Sequence, residues 1–422
     1  MYRRTVLNNG LRVLTAEMPH TRSVSIFISV GAGSRYESAD KAGLSHFLEH
    51  LPFKGTRGWP TALAISEAVE GVGGIMNAAT DREMTSFWCK VASVHADQAI
   101  PVLLDLILHP LLDPTEMEKE REVILDELRM TNDYPAQVCD LLIDRAMWPD
   151  QAMGRDVGGT METVTAIGLG DVREYMERQY RPNNTVIGIA GAITHEEAIA
   201  MVDEATRHWQ PGAIMDWEPV TPSPSDAPSV LLDRRDTEET CICLALPGFA
   251  LGDHDRYAAT VLNGVLGDGM SSRLFQSLRE DRGLTYDCHS SISSYRDCGA
   301  LVVSCGTEPA RAVEAIAATR QEMATLLQPA PGAEINKARE YIKGRLLMRM
   351  EDSRSVASWL ASQELLMEEI TTPDETAARI DAVTPADVVR TAERLLHGSV
   401  FRLAIVGPHD DAAGFEAVLK EH

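Results

Sequence analysis

The chain has 422 residues, enough for two domains of ordinary size. It contains 39 Lys and Arg residues and 63 Asp and Glu residues, which gives a net charge of -24. This charge argues against a nucleic-acid partner, because phosphate binding requires basic patches. A charge of this sign favours solubility and would also attract basic peptides to an acidic cavity. The sequence has no apolar run of about 18 residues or more, so we expect no membrane span.

Strand-like and helix-like patterns alternate along the first half of the chain. Runs rich in Val and Ile predict strands at 23–30, 86–91 and 185–190. Amphipathic periodicity predicts helices at 61–72, 95–107, 115–131 and 195–208. This mixture predicts an α+β fold of two layered domains, each with a mixed β-sheet packed with helices.

The pentapeptide His46-Phe47-Leu48-Glu49-His50 carries the strongest chemical signal. Positions i, i+3 and i+4 of a helix share one face, so two imidazoles and a carboxylate converge on one point. The imidazoles can bind zinc, and Glu49 can take a proton from a water molecule at the metal. This inverted form of the HExxH motif indicates a zinc peptidase. A solvated helix face is the alternative, because catalytic zinc requires a third protein ligand.

The charged segment 115–131 offers that third ligand. Its apolar stripe, which includes Val123 and Ile124, predicts a helix. Glu120 and Glu127 are seven residues apart and therefore share a face of this helix. One of them can bind the metal while the other lies beside the site, whereas most other acids of the helix are expected on its solvated surface.

A segment rich in proline and small polar residues divides the chain into nearly equal halves at 211–228. We predict an N-terminal zinc-binding catalytic domain at 1–210 and a homologous C-terminal domain at 229–422, joined by this linker. The second domain is expected to lack the metal motif.

The two halves contain similar segments at an almost constant spacing. Segment 186–191 resembles 402–407 at an offset of 216 residues, and two further pairs recur at nearly the same offset. Several matches at one period predict an internal duplication. At an offset of 217 residues, the positions equivalent to His46, Glu49 and His50 are Asn263, Leu266 and Gly267, so the second half does not repeat the metal-binding pattern.

Several segments, in order along the chain, carry a family resemblance. They read Leu-Asn-Asn-Gly-Leu-Arg-Val at 7–13, Gly-Ala-Gly-Ser-Arg at 31–35, the motif helix at 43–56, Gly-Ile-Met-Asn-Ala at 74–78, the acidic helix at 120–127 and Tyr-Arg-Pro-Asn-Asn at 180–184. Together they resemble the pitrilysin/insulysin family of zinc metallopeptidases, in particular its mitochondrial-processing-peptidase-like branch of short, two-domain subunits. The resemblance covers nearly the whole chain.

The resemblance implies a role for each residue of the metal site. His46, His50 and Glu127 would bind the zinc ion. Glu49 would be the general base. Glu120 matches the family's second helix glutamate, which supports the site without binding the metal.

The resemblance leaves one ligand open and adds a substrate-binding edge. Asp126 stays an alternative to Glu127, because the spacing from the motif is about one residue longer than is most familiar in the family. Asn77 and Ala78 match an edge strand on which the family binds peptide as an added strand. A plain turn at Asn77 is the alternative.

The second half carries a further pair of residues that the resemblance makes functional. Arg279 and Tyr286 match an arginine and a tyrosine of the family. Tyr286 would donate a hydrogen bond to the developing oxyanion, and Arg279 would hold the substrate, with a surface salt bridge as the alternative for Arg279. Because the metal motif and this pair lie in different halves, we expect a homodimer with sites completed by the partner copy. A heterodimer with a related subunit is the alternative.

The cysteines and the N-terminus bear on the compartment. Seven scattered cysteines without a C-x-x-C pair indicate reduced thiols, and Cys241 and Cys243 are expected in a strand core. The N-terminus enters a strand pattern at once, so we expect no targeting peptide and a cytoplasmic protein. The sequence thus predicts a zinc-dependent endopeptidase acting on extended or unfolded peptides. A non-catalytic structural or peptide-binding subunit of a larger complex is the alternative.

Overall fold

The computed structural model describes residues 2–221, 229–367 and 369–420. In chain order its strands are β1 (Arg3–Val6), β2 (Arg12–Glu17), β3 (Ser23–Val30), β4 (Ile75–Thr80), β5 (Thr85–Ala92), β6 (Thr185–Gly191), β7 (Ser229–Arg234), β8 (Thr240–Pro247), β9 (Thr285–Ser294), β10 (Gly299–Thr307) and β11 (Arg402–Gly407). They form two mixed sheets, and helices pack on both, so the predicted two-domain α+β fold is confirmed.

The structure also contains α-helices throughout the second half of the chain, for which the sequence analysis gave no ranges. In chain order they are α1 (Leu44–His50), α2 (Ala62–Glu70), α3 (Ala96–Leu108), α4 (Pro114–Asp133), α5 (Pro135–Met147), α6 (Met161–Ala166), α7 (Leu169–Gln179), α8 (His195–Thr206), α9 (Arg256–Leu266), α10 (Ala312–Thr325), α11 (Gly332–Arg349), α12 (Ser353–Leu366), α13 (Pro373–Ala382), α14 (Pro385–Leu396) and α15 (Ala413–Lys420). A π-helical segment covers Phe275–Asp281, and short 3-10 turns cover Ser34–Tyr36, Ala39–Lys41, Leu51–Lys54, Ser93–His95, Ala152–Gly154, Pro182–Asn184 and Pro309–Arg311.

The chain forms two compact units, and each contains one sheet. The first unit comprises residues up to 128 together with 156–218 and 347–372, and the second comprises 129–155, 219–346 and the residues from 373 onward. The sheet of the first unit has the order β1-β2-β6-β3-β5-β4, with β2 parallel to β6 and the other neighbours antiparallel. The strand β4 therefore lies at one edge.

Strand β3 shows why this sheet needs cover on both faces. Nearly every one of its side chains is buried, and most are apolar. Ile26 and Ile28 face the main core, to which α1, α3 and α4 contribute, whereas Phe27 faces the opposite side and packs with α12. Because successive strand residues alternate between faces, a strand buried along its whole length requires a covering layer on each side.

The sheet of the second unit has the order β7-β11-β8-β10-β9, with β7 parallel to β11. Read from β2 in the first sheet and from β7 in the second, both sheets place their strands in the same order: first, last, second, fourth, third. This shared order agrees with the predicted duplication. The motif-equivalent residues Asn263 and Leu266 lie on α9, with Gly267 directly after it.

The continuous domains predicted at 1–210 and 229–422 do not describe these units. Helix α12, from the second half of the sequence, packs Ala357 and Leu360 against the first sheet, and α5, from the first half, packs Val138 and Cys139 against the second. Both sheets need a second apolar layer, and periodicity does not reveal which sheet a helix will cover. Part of the predicted linker, 222–228, lies outside the described residues, and 211–221 contains no helix or strand.

Within the described part of the chain, every helix is too short or too polar to span a bilayer.

Candidate active site

Helix α1 presents the motif residues on one side and apolar residues on the other. Phe47 and Leu48 are fully buried in the main core. His46, Glu49 and His50 are only partly buried, as positions i, i+3 and i+4 of one helical face. Burial of the apolar pair thus fixes the rotation of the helix and aims the three polar side chains away from the core.

Helix α4 brings a third side chain that could bind a metal, Glu127, next to the two histidines. The Oε2 atom of Glu127 lies 3.7 Å from Nε2 of His46 and 3.7 Å from Nε2 of His50. The two histidine Nε2 atoms are 3.3 Å apart. Asp126, the alternative ligand, is exposed and does not belong to this group of converging ligand atoms.

The spacing of these atoms fits a zinc ion. Ligand atoms around a tetrahedral zinc ion with bonds of about 2.0–2.1 Å are about 3.4 Å apart. The three separations of 3.3, 3.7 and 3.7 Å lie close to that value, and the donor set of two imidazoles and one carboxylate is one that catalytic zinc uses. His46, His50 and Glu127 are therefore the residues that would hold the metal.

The two histidines differ in their protonation. Burial, and next the neighbouring charge of His50, lower the pKa of His46 to about 4, which keeps its ring neutral and able to bind metal. Burial also acts to lower the pKa of His50, but the hydrogen bond with Glu120 and the charges of Glu127 and Glu49 outweigh it, so that pKa is raised. A neutral His46 can bind a metal ion directly, and the carboxylates of Glu49, Glu120 and Glu127 around His50 favour a positive charge at the site.

Glu120 supports His50 from behind. Its side chain is almost fully buried, and its Oε2 lies 3.1 Å from Nδ1 of His50. The other carboxylate oxygen forms an ion pair with Lys54. Burial acts to raise the pKa of Glu120, but the hydrogen bonds with His50 and Lys54 outweigh it and lower that pKa overall. An ionised Glu120 fixes the orientation of the His50 ring and leaves its Nε2 beside His46 and Glu127, where a metal ion would be held.

Glu49 is placed differently from the three ligands. It is partly buried, and its carboxylate hydrogen-bonds with Thr80 at the end of β4. Burial is the largest effect and raises the pKa of Glu49, although the hydrogen bond with Thr80 partly offsets it. A carboxylate with a raised pKa is a better proton acceptor near neutral pH.

The predicted substrate-binding residues lie on the edge strand β4. Its side chains alternate between exposed and half-buried, and Asn77 is an exposed member. The side-chain oxygen of Asn77 accepts a hydrogen bond of 2.8 Å from the amide of Ala78. Asn77 pairs with Trp88 within the sheet, so the alternative of a plain turn at Asn77 is wrong. Strand β4 lies at an edge of the sheet.

Arg279 and Tyr286 belong to the second unit, where they contact each other. The Arg279 guanidinium lies 4.8 Å from the centre of the Tyr286 ring and 4.7 Å from that of Phe275. Tyr286 is 79% exposed, so its hydroxyl is accessible to a ligand. It borders a cavity of about 480 Å³ whose wall also carries Asp140 and Glu239.

Thr80 and Lys54 were not predicted from the sequence. Lys54 lies four residues after His50, a spacing that would have placed both on one helical face next to Glu120. Thr80 has no such local signal, because it meets Glu49 only where the end of β4 lies next to α1 in the folded chain.

Comparison with known proteins shows the family of this chain. The family model described as insulinase, peptidase family M16, matches residues 12–161, and the model described as peptidase M16 inactive domain matches residues 166–342. An uncharacterized zinc protease of Streptomyces coelicolor is 36% identical over 97% of this chain and 90% of its own length. The uncharacterized zinc protease YmxG of Bacillus subtilis is 34% identical over 97% of this chain and 98% of its own length. The chain belongs to the M16 peptidase family, as the sequence resemblance indicated.

Solved structures show the same fold. A protease from Helicobacter pylori superimposes with a TM-score of 0.91 at 19% identity, covering 97% of this chain and 99% of that one. A peptidase M16 inactive domain from Pseudomonas fluorescens gives a TM-score of 0.89 at 17% identity, covering 97% and 98%.

Proposed function

We propose that this protein is a zinc-dependent endopeptidase that hydrolyses extended or unfolded peptides. The observation that carries the proposal is the convergence of His46, His50 and Glu127 within 4.8 Å, with Glu49 on the same helix as the two histidines. The names of the zinc protease relatives support zinc as the metal.

The residues of the first unit can supply the metal site and the general base for peptide-bond hydrolysis. A zinc ion held by the three ligands would supply positive charge that polarises the scissile carbonyl and makes water easier to deprotonate. Glu49 takes a proton from the attacking water molecule and later delivers it to the nitrogen of the leaving amine. Its raised pKa suits both halves of this transfer.

The remaining site residues bind and orient. Glu120 keeps the His50 ring in place through Nδ1. The edge strand β4, with Asn77 and Ala78, offers backbone groups to a substrate in extended conformation. Tyr286 would donate a hydrogen bond to the oxyanion, and Arg279 would hold the substrate backbone.

The test is cleavage of a basic, unstructured, fluorescence-quenched peptide by the native protein and by Glu49→Gln, with the zinc content of both measured. We expect cleavage by the native protein alone and equal zinc in both. Glu67→Gln, an exposed glutamate on α2, serves as the matched control and should cleave normally. Cleavage by Glu49→Gln at a near-native rate would remove Glu49 from the mechanism. Absence of both zinc and cleavage in the native protein would favour the structural-subunit alternative.

We further propose a cytoplasmic homodimer in which Tyr286 of one copy serves the metal site of the other. The support is the placement of the metal ligands and of Tyr286 in different units of the chain. Glu49→Gln alone should be inactive and Tyr286→Phe alone should be about 100-fold slower than the native protein. Co-expression of the two variants should restore activity, because a mixed dimer contains one intact site. A mixture that stays inactive would mean that the site is completed within one copy.

A further inference from the structure

A buried carboxylate holds the N-terminal end of the motif helix. Glu37 is 5% exposed, and its two oxygens accept hydrogen bonds from two backbone amides at the start of α1. The amide of Gly43 donates to Oε2 at 2.9 Å, and the amide of Ser45 donates to Oε1 at 2.6 Å. Each oxygen thus serves one amide, at the end of a helix where backbone amides have no partner within the helix itself.

Helix α1 needs such a partner because its own sequence provides none. It has only seven residues, and isolated helices of that length are unstable in water. Its first turn is preceded by Gly43, which has no side chain to cap the helix. An anionic group at this end also interacts favourably with the helix dipole. Glu37 therefore supplies from a neighbouring turn what the helix lacks locally.

Two further contacts restrain the same end. The hydroxyl of Tyr175, on α7, lies 2.8 Å from Oγ of Ser45 and 3.3 Å from the carbonyl oxygen of Gly33. Complete burial raises the pKa of Tyr175 well above its usual value, so it stays a neutral donor. Gly43 has a φ of +94°, and a Cβ there would lie 2.5 Å from the carbonyl oxygen of Gly158. The start of α1 is thus fixed by a carboxylate, a hydroxyl and a close backbone contact.

The restrained end lies next to the metal ligands. His46 directly follows Ser45, and Glu49 and His50 lie within about one further turn. Because α1 is so short, a tilt or rotation at Ser45 moves all three of these side chains. Bond lengths to zinc of about 2.0–2.1 Å tolerate little displacement.

We infer that Glu37 is a positioning residue, which sets the metal affinity of His46 and His50 and the reach of Glu49 through the backbone of α1. The inference rests on the proposed function of that site and goes beyond it, since Glu37 acts on the start of the helix and not on the metal or the substrate. Both carboxylate oxygens are required, because glutamine would turn an NH2 group toward one of the amide donors.

The experiment compares Glu37→Gln with the native full-length protein after removal of zinc and titration with zinc against a chromophoric chelator. We expect the zinc Kd to weaken by about 10-fold or more, the range seen when groups that orient metal ligands are removed. With the zinc-loaded proteins, kcat should fall while KM stays unchanged, because the edge strand β4 is not altered. Asp40→Asn is the matched control: it removes one exposed carboxylate three residues away, and its zinc affinity should be native.

A merely structural role for Glu37 would lower the melting temperature but leave the zinc Kd and the kcat of the folded protein native, and that result would overturn the inference. If Glu37→Gln does not fold, Tyr175→Phe tests the same anchor by removing the hydroxyl that contacts Ser45. A native zinc Kd in Tyr175→Phe would then overturn the inference. Zinc binding without any peptide cleavage by the native protein would count against the proposed function, while the comparison of Kd values would still decide the role of Glu37.

Discussion

Replacement of Glu120 by glutamine tests how much the contact between Glu120 and Nδ1 of His50 contributes to zinc binding. Glutamine keeps the size of the side chain but removes the charge that faces Nδ1 of His50 at 3.1 Å and the ion pair with Lys54. The side chain of Glu120 is only 6% exposed, so water does not replace these partners easily. Both contacts are hydrogen bonds to a charged group, each worth about 1.5–3 kcal/mol.

Only part of this free energy is expected to appear as a loss of zinc affinity. Loss of a group that orients a zinc ligand typically weakens metal affinity about 10–100-fold, which corresponds to about 1.4–2.8 kcal/mol. We therefore expect the zinc Kd of Glu120→Gln to rise by that factor, with kcat reduced in the zinc-saturated protein. Metal-free Glu120→Gln should also unfold at lower urea concentration, because Lys54 loses its ion-pair partner in a half-buried position.

The assay is competition for zinc between the protein and a chromophoric chelator, followed by peptide cleavage at saturating zinc. Glu122→Gln removes an equal charge from the exposed side of α4 and should match the native protein in both measurements. A Glu120→Gln protein that binds zinc as tightly as the native protein would refute the assignment of His50 orientation to Glu120.

Three further outcomes are expected. In metal-free protein the ion pair of Glu120 and His50 stabilises the fold fully between pH 4.5 and 6.5, the ordinary pKa values of the two groups. The stabilisation is lost at lower pH, as Glu120 becomes protonated through its lowered pKa, and at higher pH, as His50 loses its proton through its raised pKa. The difference in melting temperature between native protein and Glu120→Gln should therefore be largest in that window, and a pH-independent difference would contradict it. Tyr286→Phe should lower kcat about 100-fold at unchanged zinc content, as for other oxyanion donors, and a native kcat would exclude Tyr286 from the reaction. Gly188→Ala should lower the free energy of unfolding by about 1–3 kcal/mol in urea, because its Cβ would lie 2.1 Å from a backbone oxygen of α12. Gly170→Ala is the control and should not destabilise, because among the described residues its Cβ would meet nothing within 4 Å apart from its chain neighbours and its own helix backbone.

Periodicity was sufficient to predict the main elements of the first unit. The strands predicted at 23–30, 86–91 and 185–190 correspond to β3, β5 and β6, and the helix predicted at 115–131 corresponds to α4. Alternation of apolar and polar side chains is a local property, so it is visible in the order of the residues alone.

The covering helices could not be assigned in this way. Helix α12 has buried residues such as Ala357 and Leu360 on one side, which indicates a helix next to some apolar surface. Nothing in that pattern distinguishes the sheet of its own half from the sheet of the other half. The predicted boundary at the linker followed from composition alone and therefore missed the exchange.

The residues of the site also differ in how far they could be predicted from the sequence. The spacing of His46, Glu49 and His50 is enough to place them on one helical face, because helical geometry relates residues that are close in sequence. Glu37 and Thr80 reach the site from separate turns and strands, and their contacts with α1 exist only once the chain has folded. Spacing alone thus identifies residues that share an element with the motif, whereas Glu120 and Glu127 on α4 were assigned to the site through the family resemblance.

The exchange of α5 and α12 has a consequence for synthesis of the chain. The last strand of the first sheet ends at Gly191, but the helix that covers the apolar face with Leu14 and Phe27 begins only at Ser353. During synthesis, all strands of the first sheet therefore leave the ribosome before α12 does, and one hydrophobic face of the sheet stays uncovered until most of the second half has been made. Contacts between residues so distant in sequence slow folding and prolong the risk of aggregation. A chain cut within the linker would consist of two fragments that each contain a helix the other requires, so neither half is an independent folding unit.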